Sequence, residues 1–205
     1  LRVKPSAVRH VQGYRLAVTP QGVVVDAHDA AGVYYSVCTL RQLVQQSDAS
    51  LPCLVIEDWP DFPARGVMLD ISRDRVPTMD TLFDLVDMLA SWKVNQLQLY
   101  TEHTFAYRRH PDVWAAASPM TGDQILQLDA YCKERYVELV PNQNSFGHME
   151  KWFLYPEYAA MSEGVEPNMT LCATDPAALP FVAGLFDELL PHFSTRLFNV
   201  GCDET

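Results

Sequence analysis

The sequence has few positive charges and lacks the common signatures of membrane or nucleic-acid binding. Lysine and arginine number 15 against 26 aspartate and glutamate residues, a formal charge of -11 over 205 residues. This balance argues against nucleic acid and against an anionic membrane as partners. No apolar run approaches the roughly 20 residues of a membrane span, and no charged leader precedes an apolar segment near Leu1. These absences favour a cytoplasmic protein that acts on a neutral or cationic substrate.

Metal, nucleotide and serine-nucleophile motifs are also missing. The five cysteines are scattered without a CxxC pair, which argues against a disulfide framework and a zinc site. We expect reduced, mostly buried thiols. No GxGxxG, GxxxxGK[ST], HExxH or GxSxG motif occurs in the chain. The sequence therefore predicts no cofactor, no metal ion and no nucleotide-binding sheet.

Residues 1–58 have the pattern of a small α+β domain. Alternating residues over Tyr14–Ala27 predict a hairpin, Ala30–Gln46 has helical spacing, and Leu54–Ile56 is a short strand. The inward face of the helix is predicted to carry Val33, Val37, Leu40 and Val44. Trp59–Pro63 contains two prolines and is the predicted linker to a second domain, residues 59–205.

The second domain alternates short apolar strands with amphipathic helices, which is the α/β signature. The predicted strands are Gly66–Ile71, Asn95–Tyr100, Val137–Val140 and Leu197–Val200. Helix start signals occur at Thr78, at Thr121 with Gln124 as a capping box, and at Asp175 before a helix with Leu179, Val182, Phe186 and Leu189 inward. Polar residues follow every strand, whereas an open sheet uses mainly its switch point. The pattern therefore predicts the first half, strands 1 to 4, of a (β/α)8 TIM barrel.

The strongest candidate for chemistry is the run Gly201-Cys202-Asp203-Glu204, which directly follows the last strand. Two neighbouring carboxylates repel each other when both are ionised, so one pKa rises toward the range that a general acid needs. A solvated Asp-Glu pair is the common alternative. The position after a strand favours the functional interpretation.

Other polar residues at the strand ends are weaker candidates. Arg73 could bind vicinal hydroxyls or pair with Asp70 or Asp74 at the surface. His148 follows a glycine and could act as an acid, a base or a hydroxyl ligand, although a structural histidine is the commoner case. Glu102 and its neighbour His103 are either functional or a local pair.

These residues also resemble a known family. The run Arg65–Arg73 resembles the first barrel strand of glycoside hydrolase family 20, and Gly201-Cys202-Asp203-Glu204 resembles its GGDE catalytic strand. Phe146-Gly147-His148 stands where the family has Pro-Gly-His, and Asn144 stands where it commonly has aspartate. The leading unit is similar to the small domain that precedes these barrels, and the closest similarity is to the hexosaminidase D-like branch.

The resemblance implies a retaining β-N-acetylhexosaminidase that releases terminal β-linked N-acetylglucosamine or N-acetylgalactosamine. The oxygen of the substrate's 2-acetamido group would be the nucleophile, with an oxazolinium intermediate. By residue matching, Glu204 would protonate the leaving oxygen, and Asp203 would orient the acetamido group. Arg73 would bind ring hydroxyls. The supporting pocket residues would be Asp70, Glu102, His103, Asn144 and His148.

The sequence departs from the family pattern in three places. Asn199 replaces a histidine, and Tyr100-Thr101-Glu102-His103 replaces a histidine with paired aspartates. Only four of eight barrel strands are present, so we expect a fragment that is inactive alone. Two alternatives stay open: a non-catalytic sugar-binding or truncated remnant, and a barrel glycosidase with Glu102 as carboxylate nucleophile. Homo-oligomerisation is also left open.

Overall fold

The computed structural model describes residues 1–48, 50–73 and 75–205, which form two units. The first unit comprises residues 1–65 and 87–95, and the second comprises residues 66–86 and 96–205. The segment between the first unit's sheet and Gly66 contains neither helix nor strand over residues 59–65, which include the predicted linker. Among the described residues, no helix combines the length and apolar character that a membrane crossing requires.

The described part of residues 1–65 in the first unit is a four-stranded sheet with one helix. Its elements are β1 (Arg2–Val3), β2 (Tyr14–Thr19), β3 (Gly22–Ala27), α1 (Ala30–Gln45) and β4 (Leu54–Asp58). The sheet order is β1-β3-β2-β4, with β2 antiparallel to both neighbours and β1 parallel to β3. The predicted hairpin, helix and strand are confirmed. The core of this unit contains Tyr14, Leu16, Val25, Ala27 and Tyr35.

The predicted inward face of α1 is wrong at two of its four positions. Val37 and Val44 are 46% and 54% exposed, and the buried residues are Gly32, Tyr35 and Ser36. A Cβ atom on Gly32 would lie 2.3 Å from the carbonyl oxygen of Gly13. Because only glycine allows this approach, Gly32 must face that backbone, and its position sets the rotation of the helix.

The second unit is built on a parallel sheet. Its elements are β5 (Gly66–Asp70), α2 (Met79–Ser91, whose last turn belongs to the first unit), β6 (Gln96–Thr101), α3 (Pro111–Trp114), α4 (Gly122–Glu134), β7 (Glu138–Gln143), α5 (Glu150–Phe153), α6 (Pro156–Ala159), α7 (Ala178–Leu189) and a 3-10 turn (Leu190–His192). The sheet order is β5-β6-β7, with both pairs parallel. The first three predicted strands and the α/β pattern are confirmed.

The fourth predicted strand, Leu197–Val200, is reduced to one β-bridge. Asn199 pairs in parallel with Asn142 beside β7. Its N–H donates to the carbonyl oxygen of Pro141 at 3.1 Å, and its own carbonyl accepts from the N–H of Gln143 at 3.1 Å. The segment therefore extends the edge of the sheet at a single residue.

Two of the three helix starts are placed as predicted. Thr121 and Gln124 form the capping box at α4, and the Thr78 hydroxyl accepts from the N–H of Thr81 at the start of α2. By contrast, α7 begins at Ala178, and Leu179 is 78% exposed rather than buried. The inward line is Ala178, Val182, Leu185 and Leu189, whose spacing of four, three and four residues is that of one helix face.

All five cysteines are free thiols, but the expectation that most are buried is wrong. Only Cys132 is buried, while Cys53 and Cys202 are exposed. Cys53 precedes β4 outside regular structure, and Cys202 lies in the turn beyond the Asn199 bridge. These two positions therefore lack the packing of a helix or sheet interior.

Candidate active site

The candidate residues lie where the parallel strands of the second unit end. Asp70 is the last residue of β5, Glu102 follows β6, and Asn144 follows β7. Asp203 and Glu204 follow the bridge at Asn199. Because the strands are parallel, their carboxyl ends meet at one edge of the sheet, where α/β proteins carry their functional groups.

Arg73 is held in place by Asp70 and Tyr100. Its Nη1 donates to Asp70 Oδ2 at 2.9 Å, and Asp70 Oδ1 accepts from the N–H groups of Ser72 and Arg73 at 2.8 and 3.1 Å. Its Nη2 donates to the Tyr100 hydroxyl at 3.2 Å, and its guanidinium carbon lies 5.0 Å from the centre of that ring. The predicted ion pair with Asp70 therefore coexists with a position among the site residues. The other predicted partner, Asp74, lies outside the described residues.

Glu102 is a buried carboxylate surrounded by polar groups. It is 2% exposed, and its Oε1 accepts from the Tyr100 hydroxyl at 3.0 Å. Arg73 Nη2 lies 3.8 Å away and His148 Nδ1 lies 4.0 Å away. Burial, and then the negative charge of Glu150, raise the pKa of Glu102, although the Tyr100 hydrogen bond and both cationic neighbours act in the opposite direction. The hydrogen bond from Tyr100 and the nearby Arg73 and His148 therefore limit, but do not cancel, the rise in the pKa of Glu102.

His148 joins this group to the two carboxylates of the Asp203-Glu204 pair. The residue is 5% exposed and adopts a left-handed backbone conformation, with φ of 56°. Its Nδ1 lies 3.5 Å from Arg73 Nη2, while its Nε2 lies 3.1 Å from Glu204 Oε2 and 3.8 Å from Asp203 Oδ2. The Nε2 atom is close enough to Glu204 for an ion pair, but the two are not aligned as a hydrogen bond. One imidazole thus contacts both the arginine and the carboxylate pair.

Two glycines allow the backbone segments under the site to approach each other. A Cβ atom on Gly147 would lie 2.4 Å from the carbonyl oxygen of Asp203. Gly201 has φ of +53°, and its Cβ would lie 2.7 Å from both Cα and Oδ1 of Asn144. The chain therefore turns tightly before Asp203 and Glu204, whose side chains are 60% and 72% exposed. Both side chains are exposed among the described residues.

Asn144 and Asn199 stabilise this turn through hydrogen bonds with the backbone. Asn144 is fully buried, and both its backbone N–H and its Nδ2 donate to the carbonyl oxygen of Thr101, at 2.9 and 3.3 Å. The Asn199 side chain, at the position where a histidine was expected from the resemblance, accepts from the N–H of Gly201 at 3.0 Å. Both asparagines therefore shape the backbone that carries the carboxylates.

His103 is the one predicted site residue that lies elsewhere. It is 7% exposed and lines a neighbouring cavity with Lys151. Burial, and then the charge of Lys151, lower its pKa. Within residues 1–48, 50–73 and 75–205, no hydrogen bond or ion pair joins His103 to Arg73 or Glu102.

The sequence reasoning did not select Tyr100 and Glu150. Tyr100 and Glu102 are two residues apart and so lie on the same side of the strand end, a signal that was available. Glu150 gave no such signal, because it is the first residue of α5 and does not directly follow a strand. Ligand atoms of Glu102, His148 and Glu150 lie within 4.8 Å of one another and could hold a cation. The Arg73 guanidinium already supplies positive charge there, so we assign no metal ion.

Comparisons with known proteins match this architecture. The sequence model of glycosyl hydrolase family 20, domain 2, matches residues 1–59, and that of the family's catalytic domain matches residues 62–205. A beta-hexosaminidase of Akkermansia muciniphila is 30% identical over 93% of this chain and 45% of its own length.

Solved structures give the same result. A crystal structure of a beta-N-acetylhexosaminidase has a TM-score of 0.87 at 28% identity, covering 100% of this chain and 49% of the other. A mutant Streptomyces plicatus beta-hexosaminidase in complex with its product GlcNAc has a TM-score of 0.78 at 26% identity, covering 93% of this chain and 45% of the other. The chain thus spans less than half the length of these relatives.

Proposed function

The chain belongs to glycosyl hydrolase family 20, and on that premise we propose that the whole protein is a β-N-acetylhexosaminidase. It removes terminal β-linked N-acetylglucosamine or N-acetylgalactosamine with retention, and the acetamido oxygen of the substrate is the nucleophile. The observation that carries the proposal is the contact of His148 with both Arg73 and Glu204, at 3.5 and 3.1 Å. The Arg73 guanidinium, which would bind hydroxyls, and the exposed carboxylic acid of Glu204 therefore lie on either side of the His148 imidazole.

Each residue has a role that fits its surroundings. Glu204 protonates the leaving oxygen and then activates water, because its side chain is open to solvent and has an imidazole within 3.1 Å. Asp203 orients the acetamido group and stabilises the positive charge of the oxazolinium ion. Arg73, oriented by Asp70 and Tyr100, binds ring hydroxyls through its remaining donors.

The proposal extends to the fold and the domain boundary. We propose that β5, β6, β7 and the bridge segment are strands 1 to 4 of a (β/α)8 barrel, with residues 1–58 as a separate domain. Val67 and Met68 support this, because they are adjacent in β5, point to opposite faces and are 41% and 56% exposed. Further strands and helices in the whole protein would cover both faces.

Two assays test the activity in the full-length protein. It is expected to hydrolyse 4-nitrophenyl N-acetyl-β-glucosaminide or the corresponding galactosaminide, and a thiazoline mimic of the oxazolinium ion is expected to inhibit it. Absence of turnover would favour the non-catalytic alternative. Turnover without thiazoline inhibition would favour a carboxylate nucleophile. Glu102 is poorly suited to that role, because it is 2% exposed and accepts a hydrogen bond from Tyr100.

A further inference from the structure

A cavity of about 280 Å³ lies within the first unit and shares no residue with the candidate active site. Its volume is just below the roughly 300–1,000 Å³ of sites for drug-sized ligands, so it suits a ligand of about one ring. Trp59 and Trp92 are the most exposed aromatic residues of its wall, at 44% and 63%. Its polar and tyrosine side chains are those of Gln12, Tyr14, Tyr35, Asp58, Arg65 and Lys93.

The two indoles of the wall each retain an unused hydrogen-bond donor. The indole N–H groups of Trp114 and Trp152 donate to backbone carbonyl oxygens. Those of Trp59 and Trp92 have no partner among the residues that the structure describes. The ring of Trp59 is held by His10, which stacks on it with a centroid distance of 4.3 Å and an angle of 11°. Each exposed indole therefore offers a ligand an apolar surface together with one donor.

The charged groups of the wall are already paired. Lys93 Nζ donates to Asp58 Oδ2 at 2.7 Å and to the Tyr14 hydroxyl at 2.9 Å. Arg65 makes five hydrogen bonds, to three backbone carbonyl oxygens and two side-chain oxygens of the wall, which is as many as its N–H groups allow. Within the described residues, the wall therefore offers no unpaired charge to an ionic ligand.

The same two cations also contact the tyrosine rings. Lys93 Nζ lies 5.1 Å from the centre of the Tyr14 ring, and the guanidinium carbon of Arg65 lies 5.6 Å from the centre of the Tyr35 ring. Both tyrosines thus already have a cationic partner. Hydrogen-bonding capacity remains, because an ammonium group has three donors and the Asp58 carboxylate has about four acceptor sites. These properties favour an uncharged ligand with hydroxyl groups.

Two residues of the wall have a left-handed backbone. Gln12 and Lys93 have φ of 63° and 61°, a region that costs free energy for residues other than glycine. Hydrogen bonds hold both of them, from the Gln12 N–H to Asp29 Oδ2 at 2.8 Å and from the Lys93 ammonium group to Asp58. Such conformations cluster at binding and catalytic sites, where a fixed geometry offsets their cost. The backbone therefore gives an independent indication that this cavity has a function.

We propose that the cavity binds one ring of an uncharged saccharide, as a carbohydrate site that takes no part in bond cleavage. The C–H surface of the sugar packs on the indoles of Trp59 and Trp92. Its hydroxyls bond to Asp58, to Lys93 and to the two indole N–H groups. The site retains the protein on a glycan. It does not depend on the proposed hydrolysis, because no residue of the wall belongs to the candidate active site.

The test measures saccharide binding to the full-length protein by isothermal titration calorimetry. The neutral probes are cellotetraose and the β-1,4-linked tetramer of N-acetylglucosamine, and the charged probe is tetragalacturonate. A saturating thiazoline inhibitor is present, so that the candidate active site is occupied. The variants are Trp92→Ala, Trp92→Tyr and the control Phe62→Ala. Phe62 is an aromatic residue of the same unit that is 72% exposed and does not line the cavity.

At least one neutral tetramer is expected to bind the wild type. Its dissociation constant is expected to rise about tenfold in Trp92→Ala, the effect of losing one aromatic contact, and less than about twofold in Phe62→Ala. Trp92→Tyr is expected to fall between these two, because it keeps an aromatic ring and a donor. The melting temperature of Trp92→Ala should stay at the wild-type value, because the side chain is exposed.

Three results would overturn this site: no binding of either neutral tetramer at millimolar concentration, equal weakening in Trp92→Ala and Phe62→Ala, or tighter binding of tetragalacturonate than of both neutral tetramers. Turnover of 4-nitrophenyl N-acetyl-β-glucosaminide is measured on the same proteins without the thiazoline. It is expected to be unchanged in Trp92→Ala. Loss of the saccharide site and loss of the proposed activity are therefore separate outcomes.

Discussion

The Nε2 atom of His148 lies 3.1 Å from Oε2 of Glu204, and both residues have a left-handed backbone conformation, with φ of 56° and 52°. Non-glycine residues rarely adopt this conformation, and at the buried His148 the surrounding packing enforces it. The imidazole is buried, whereas the carboxylate is exposed. The exposed carboxylate is therefore in contact with an imidazole that the fold holds in place.

The two carboxylates of the proposed mechanism can be distinguished by leaving group. Glu204→Gln in the full-length enzyme is expected to impair substrates with poor leaving groups far more than activated aryl glycosides, because a good leaving group needs little protonation. Asp203→Asn is expected to reduce kcat/KM by about 10²-fold or more for both classes, since the oxazolinium charge forms in every case. The measurement is kcat/KM across a series of leaving groups. Equal sensitivity in both variants, or near-normal activity in either, would contradict the assignment.

Arg73 is expected to tolerate no conservative replacement. Its guanidinium contacts Asp70, Tyr100 and His148 in three directions, which one ammonium group cannot reproduce. Arg73→Lys should therefore lower kcat/KM by about 10²-fold on a neutral substrate. The exposed Arg41 of α1 provides a control, and Arg41→Lys is expected to keep wild-type kinetics. Comparable activity of the two variants would remove Arg73 from the site.

The acid side of the pH profile is expected to depend on Glu150. The pKa of Glu102 is raised by burial and then by the charge of Glu150, so as the pH falls Glu102 becomes protonated earlier than an ordinary glutamate. The protonated carboxyl group carries no negative charge, so its attraction to Arg73 and His148 weakens. Glu150→Gln removes a like charge, lowers the pKa of Glu102 and should shift the acid limb of kcat/KM to lower pH. An unmoved limb, or the same shift in the exposed-carboxylate control Glu157→Gln, would argue against this coupling.

A comparison of Gly201 with Gly164 distinguishes the effect of close packing at a glycine from the effect of its positive φ angle. Both have positive φ, of +53° and +71°, but a Cβ atom on Gly201 would lie 2.7 Å from Asn144 whereas one on Gly164 meets nothing within 4 Å. Gly164→Ala should cost about 1 kcal/mol of stability and leave kcat intact. Gly201→Ala should displace the turn before Asp203 and lower kcat by about tenfold or more. Thermal unfolding and steady-state kinetics of both variants give the comparison, and equal kcat values would show that the turn tolerates a side chain.

Local patterns predicted most of the elements because each is specified by nearby residues. The hairpin at β2 and β3 is closed by a short turn between Thr19 and Gly22, and the capping box joins Thr121 to Gln124, three positions later. The orientation of a helix depends on distant contacts. The approach of Gly32 to Gly13, which turns Val37 away from the core, joins residues 19 positions apart and has no signature within the helix.

The part of the candidate site that lies directly at the ends of predicted strands could be predicted from the sequence. Asp70, Arg73 and Glu102 could be placed on one edge from strand positions alone. The separation of His103 from Glu102 could not, because two consecutive side chains after a strand point in different directions and the sequence does not say which one faces the site. Glu150 was missed because it is the first residue of α5 and not part of a strand end, so the strand pattern did not select it.

The carbonyl oxygen of Glu102 accepts two side-chain donors, Gln143 Nε2 at 2.9 Å and Trp152 Nε1 at 3.1 Å. The same Gln143 amide also donates to the carbonyl oxygen of Asn144 at 2.8 Å. These hydrogen bonds connect the end of β6, the end of β7 and the Trp152 indole of α5. The strand ends therefore lose their conformational freedom when the chain folds, which lowers the entropic cost for any ligand that binds at them.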